Sequence, residues 1–388
     1  MTVQPSSSTD IPPVECPVGT PLAEAPPTAG VSPLLPRGRF VSSRFSAIPQ
    51  WGQYLDERTW SAFLNSCSAL EGQTQWQEIC HAATALGLAP TPTQQKQFFE
   101  QHFSPWMVVN NRGANVGLVT GYYEPLLHGS LARTPRYQFP LYAPPSDLLT
   151  VDLGDVVPEL KGRRIRGRLQ GNRVVPYLTR AEIDSEDPPL TGLELAWVDN
   201  PVDLFFLQIQ GSGRLLLPDG QIMHVGYADQ NGQPFRSIAK ELDRRGELPL
   251  ARASLENIRN WARTHPEDVG EILDANPSYV FFRKMPDNLS GPIGTLGVPL
   301  TGQASIAVDA HVIPLGVPVF LDTTRPNSQT PLRRLVMAQD TGGAIYGAIR
   351  ADFFWGFGAD AEKNAGSMKQ AGRMWILYPQ GFTPPDPH

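Results

Sequence analysis

Apolar positions along the chain change texture twice, and each change predicts a different kind of structure. Residues 1–36 are dense in Pro, Ser and Thr with scattered small apolar residues, a composition that cannot repay the entropy of ordering. The stretch to residue 40 therefore reads as a disordered tether. Helical spacing begins after it. Trp60, Phe63, Leu64 and Cys67 fall at i, i+3, i+4 and i+7, Trp76, Ile79, Ala83 and Leu86 repeat the pattern, and a third helix carries Phe98, Phe99 and Phe103 before Pro105. From "WMVVN" and "NVGLVTGYYEP" onward, short apolar or alternating runs are broken by Gly and Pro, which predicts strands.

"RLLLPDGQIMHV" predicts a hairpin turning at Pro218-Asp219-Gly220, and "FFLQIQGSGR" before it reads as a strand running into a glycine bend. Helix returns between residues 236 and 275. Ser254 is a predicted N-cap, and Pro266 stands at the first turn of the helix in "HPEDVGEILDANP". "SYVFFR", "ASIAVD", "VPVFLD", "RLVMAQD" and "RMWILYP" complete the strands. Helices lead, β-structure dominates the middle and the end, and helices interrupt it. The fold class is α+β, or mostly β with α, without βαβ winding.

The length of 388 residues suits two or three domains, and a net charge of −6 provides no overall basic field for nucleic acid. No apolar run reaches the roughly 20 residues that span a bilayer, and the first residues lack the basic and apolar regions of a signal peptide. Cys16, Cys67 and Cys80 make no disulfide framework and lack zinc-site spacing; Cys67 and Cys80 read as core fillers, Cys16 as an unmodified thiol. Lys161, Arg163, Arg164, Arg166, Arg168 and Arg173 form a basic stretch, either a solvated hairpin edge or a contact for an anionic polymer.

Candidate chemistry concentrates in aspartates. No phosphate-binding glycine loop is present, Ser212 lacks the glycine that a nucleophile elbow needs two positions earlier, and Asp309 with His311 makes too small a set for metal. No metal and no cofactor are expected. Asp309, Asp340 and Asp352 each stand at or beyond a strand-like run, near Gly342, Gly343 and Trp355. Aspartate commonly ends strands as a turn former, so each has a structural reading. "DTG" at 340–342 matches the catalytic turn of aspartic proteases, but those need two copies and one is present. A glycosidase-like acid is the other chemical reading, with Trp355 as a sugar-facing or a core aromatic.

"GLVTGYYEP", "VDLFFLQIQGSGRLLLPDG", "VGYADQNGQPFRSIAKEL", "NPSYVFFR", "PLTGQASIAVDAHVIPLGVPVFLD" and "MAQDTGGAIYGAIRADFFWGFG" resemble, in order, the membrane-bound lytic murein transglycosylase A family. The resemblance runs from about Phe45 to Pro379. It implies a double-psi β-barrel carrying a three-aspartate motif, built from residues 41–125 and 286–380, with a smaller inserted β-barrel at 126–285 and a glycan groove between them. It further implies cleavage of the β-1,4 bond between N-acetylmuramic acid and N-acetylglucosamine. The general acid and base then falls on Asp352, with Asp340 and Asp309 completing the motif. Tyr122, Tyr123, Gln208, Gln210, Ser212, Gly342, Gly343 and Trp355 are expected along the groove.

The implied partners are peptidoglycan glycan strands, with membrane anchoring or cell-wall enzyme complexes, in the periplasm or at the outer membrane. A wall-binding module without activity remains the non-enzymatic alternative.

Overall fold

A computed structural model describes residues 38–157, 160, 165–185, 187–287 and 289–387. The tether assigned to residues 1–40 therefore lies outside the described residues up to position 37, as does the basic stretch from Lys161 to Arg164. The tether's assigned end is too late. Gly38–Ser42 is a strand, antiparallel to Phe103–Asn110 with Phe40 opposite Val108.

Three helices follow, Glu57–Leu70, Thr74–Leu86 and Pro92–His102. Asp56 caps the first through the Thr59 N–H, and Thr91 and Gln94 form a reciprocal capping box with Pro92 in the first turn of the third. Their apolar faces meet around Trp60 and Phe63, whose rings lie 5.7 Å apart and are flanked by Phe98 and Phe99. Each of these fully buried rings contributes about 1.5–3 kcal/mol. Cys67 and Cys80 lie on these faces but do more than fill space. Their helices are joined by residues 71–73 alone, which brings the Cα atoms within 5.3 Å, and the two cysteines form a disulfide.

The helices pack on an 8-stranded sheet, ordered 38–42, 103–110, 369–379, 318–324, 331–340, 305–308, 350–357 and 117–124. Lys369–Gly372 also pairs with Gly117–Thr120, so the strands from 369–379 round to 117–124 form a closed ring of pairings. A 6-stranded sheet, ordered 280–284, 222–230, 212–216, 126–130, 194–198 and 139–142, occupies the middle of the chain. A 3-stranded sheet, 149–151, 165–170 and 173–176, holds the described part of the basic stretch, where Arg166 pairs with Asp229 at 2.8 Å.

Pro201–Gln210 is a helix, not a strand. Asn200 caps it through the Val202 and Asp203 N–H groups, Pro201 opens it, and Gly211 ends it at φ 78°. The run "FFLQIQ" alternates only by coincidence, because Val202, Leu204, Phe205 and Leu207 bury at helical spacing. Pro266 precedes the helix Val269–Asp274, whose N-cap is Asp268.

Close approach of two layers beneath the strand Gly117–Glu124 depends on Gly121. A Cβ built there would lie 2.7 Å from the Trp355 Nε1 and 3.0 Å from the Cα of Ala365 in the helix Ala359–Ser367. Gly121→Ala should therefore destabilise the protein by about 1–3 kcal/mol, since neither a core indole nor a helix backbone yields cheaply. A thermal melt checks it, and an unchanged midpoint would mean that the two layers are not rigidly apposed.

Candidate active site

Four strands place one residue each in a single row. Thr120 stands opposite Asp352, Asp352 opposite Ala307, and Ala307 opposite Asp340. Paired residues of adjacent strands project to the same face. Two hydrogen bonds agree with that. The Thr120 hydroxyl donates to Asp352 Oδ1 at 2.6 Å, and the Tyr122 hydroxyl, two residues further along the same strand, donates to Asp340 Oδ2 at 3.1 Å. Only the methyl group of Ala307 stands between the two acids in the row.

The pairing of 305–308 with 331–340 shifts register between Ile306 and Ala307, so that Ile306 faces Ala338 while Ala307 faces Asp340. Gln339 is the extra residue. Without the shift, Gln339 would take the place opposite Ala307 and the Asp340 side chain would turn to the other face.

The two carboxyls are half-buried and differently partnered. Asp340 Oδ1 accepts from the Thr295 N–H and hydroxyl, each at 3.0 Å, and Oδ2 accepts from Tyr122. Asp352 accepts from Thr120. Burial raises the Asp352 pKa above the ordinary carboxylate value; the Thr120 hydrogen bond and Arg350 oppose the rise, and the nearby Asp340 charge adds to it. Burial also raises Asp340, while its Thr295, Thr341 and Tyr122 hydrogen bonds pull it back. Donors favour the charged form of an acceptor, so the pair divides. Asp340, with more donors, is the better carboxylate, and Asp352 the better acid.

Sequence models match the chain in two parts: the MltA specific insert domain over residues 118–283 and the 3D domain over residues 304–378. Thr120 and Tyr122 fall in the first, the three aspartates in the second. The membrane-bound lytic murein transglycosylase A of Escherichia coli K12 is 35% identical over 269 residues, 66% of this chain and 64% of that protein. The match thus spans less than two thirds of that relative's length. The crystal structure of MltA from Neisseria gonorrhoeae superposes with a TM-score of 0.81 at 38% identity, covering 90% of this chain and 95% of that one. The chain belongs to the lytic murein transglycosylase A family. The structure of E. coli MltA with bound chitohexaose gives a TM-score of 0.64 at 25% identity, over 90% of this chain and 99% of that one.

Within this family member, the residues singled out by sequence separate into groups. Asp352 and Asp340 stand on the row, and Tyr122, on the same face, reaches Asp340 through its hydroxyl. Asp309 does not join them in the same way. It is 2% exposed, and its carboxylate accepts from the Gly347 N–H at 2.8 Å and from His311, tying down the loop that connects the two acids. Gln210 accepts from the Tyr123 N–H at 3.1 Å and so fastens the end of the 201–210 helix beside Tyr122. Tyr123 itself is buried in the core, and Gln208 is buried against Arg180. Ser212 is half-buried where its strand begins, opposite Gly226.

Trp355 is a core residue, 5% exposed, packed 5.0 Å from the Phe353 ring with its indole N–H on the Met368 sulfur. Its place as a sugar-facing aromatic is thereby corrected. Gly342 and Gly343 follow Asp340 after Thr341, yet the positive φ in this loop belongs to Gly347, at +110°, the residue that donates to Asp309.

Sequence reasoning passed over Thr120, Thr295, Arg350 and Gln339. Thr120 and Gln339 stand inside quoted motifs, but only strand register shows what they touch. The raised pKa of Asp352 has a testable sign. A carboxyl that holds its proton more tightly folded than unfolded weakens the fold as pH rises from the unfolded-state value, near 3.9, through the folded one. Asp352→Asn should therefore melt above the wild type at pH 7, with the gap closing as pH falls toward 4. A gap that instead widens on acidification would mean that the carboxylate is stabilised by folding.

Proposed function

We propose that this protein is a lytic transglycosylase that cleaves the β-1,4 bond between N-acetylmuramic acid and N-acetylglucosamine in peptidoglycan. The observation that carries the reading is the row itself, with Asp352, whose pKa burial raises, on one face with Asp340, which receives more hydrogen-bond donors. Family membership supports the substrate class, and the chitohexaose held by the E. coli relative supports a groove for β-linked amino sugars. The closed ring of strands supports a double-psi β-barrel, and the middle sheet an inserted barrel, with boundaries near residues 126 and 285. The disulfide between Cys67 and Cys80 suits an oxidising compartment such as the cell envelope. No helix among the described residues is long and apolar enough to cross a membrane.

Asp352 protonates the glycosidic oxygen as the bond to C1 breaks. Ionised Asp340, on the same face of the sheet, favours the positive charge that develops at C1. Asp352, now a carboxylate, accepts the proton of the muramoyl C6 hydroxyl as that oxygen attacks C1 and closes a 1,6-anhydro ring. One acid serves both steps because the nucleophile is already attached to the sugar, and such intramolecular attack reaches effective molarities of about 10⁵ M or more. A second carboxylate for activating water is not required.

Asp352→Asn keeps the shape and the Thr120 contact while removing the transferable proton. Turnover of purified peptidoglycan should fall by at least about 10²-fold, with binding of soluble glycan retained. Near-normal turnover in that variant would remove Asp352 from the role. Binding without any turnover by the wild type would leave a wall-binding module in place of the enzyme.

A further inference from the structure

Gln339 is the residue that sets Asp340 into the row, and its surroundings are built around it. The side chain is 0% exposed, and both ends of its amide are engaged. Oε1 accepts from the Ser305 hydroxyl at 2.6 Å. Nε2 donates to the Ala62 carbonyl at 2.7 Å and to the Ser66 hydroxyl at 3.0 Å, both in the helix Glu57–Leu70. Its backbone carbonyl accepts from the Leu296 N–H at 3.0 Å, while the preceding residue, Thr295, donates twice to Asp340. Gly294 allows this approach, since a Cβ there would stand 2.5 Å from the Gln339 carbonyl oxygen.

An extra residue in a strand is left unpaired and locally disrupts the ladder. Here three separate elements hold it: the neighbouring strand through Ser305, the N-terminal helix through Ala62 and Ser66, and the 294–296 segment through Leu296. A buried primary amide with its donor and acceptor both satisfied is rigid, and removing it strands the Ser305 and Ser66 hydroxyls and the Ala62 carbonyl.

We propose that Gln339 is a positioning residue for the reaction, fixing the bulge so that Asp340 shares a face with Asp352 and meets Tyr122 and Thr295. The N-terminal helical layer is then part of the catalytic apparatus without touching substrate. This inference rests on the transglycosylase reading for its kinetic consequence, although the geometry it predicts does not.

Gln339→Met preserves length and removes the hydrogen-bonding groups. On a soluble glycan substrate it should lower kcat by at least about 10-fold with KM changed by less than about 2-fold, because Asp340 acts on the developing charge rather than on binding. Phe99→Leu, a core change in the same helical layer, serves as the control for lost stability. Both are compared at a temperature where each is folded. Crystal structures of the variants supply the readout independent of turnover: in Gln339→Met, Asp340 should lose its contact with Tyr122, and in Phe99→Leu it should keep it. If Gln339→Met does not fold, Ser66→Ala should show the same kcat-selective loss to a smaller degree.

A Gln339→Met enzyme that loses no more kcat than Phe99→Leu, or that keeps the Asp340–Tyr122 contact, would overturn the proposal. Absence of turnover in the wild type would instead defeat the transglycosylase reading and leave the crystallographic test standing.

Discussion

The arrangement at this site depends on the register between the strands 305–308 and 331–340. In parallel strands a one-residue slip exchanges the faces of every side chain beyond it, and the extra residue at Gln339 makes that exchange once, just before Asp340. The helices at the start of the chain, the loop at 294–296 and the strand carrying Thr120 and Tyr122 all converge on its result. Packing of Gly121 under Trp355 keeps the fourth strand close enough to contribute. The acid pair is therefore a product of sheet geometry before it is a product of local chemistry.

That geometry turns two identical side chains into unlike ones. Burial alone would raise both carboxyls, and mutual repulsion would let one proton remain between them. Hydrogen-bond donors decide where it stays. Asp340 receives the Thr295 N–H, the Thr295 hydroxyl and the Tyr122 hydroxyl, whereas Asp352 receives the Thr120 hydroxyl. Arg350, two residues before Asp352 on its strand, opposes the rise in its pKa. Asp309 works one step away, through the loop joining the two acids, by holding the Gly347 N–H.

Much of this was legible in the sequence where local physics decides. The three N-terminal helices, the hairpin at Pro218-Asp219-Gly220 and the strands that lead to Asp309 and Asp340 follow from periodicity and turn chemistry, whereas Asp352 stands near the start of its strand, 350–357, and the apolar run before it is a loop. Family resemblance pointed to the three aspartates and to Tyr122, and the structure gathers three of those four residues on one face. What failed did so where two local signals compete or where distance in sequence hides contact. "FFLQIQ" alternates like a strand, but Asn200 and Pro201 start a helix before it. Cys67 and Cys80 look like core residues because they are, and only the short helix connection brings their sulfurs together. Trp355 could not be separated from a sugar-facing aromatic without knowing that Gly121 opens a place for it below the sheet. Gln339 stood inside a quoted motif without any sign of its role, since a bulge is defined by its partner strand.

The central claim is that the sugar's own hydroxyl, and not water, completes the reaction at Asp352. Digesting purified peptidoglycan in ¹⁸O-labelled water and weighing the products tests it most directly. The account predicts unlabelled muramoyl ends lighter than hydrolytic ends by one water, as a 1,6-anhydro ring requires. Reducing ends carrying ¹⁸O at the anomeric carbon would contradict it and make the protein a hydrolase.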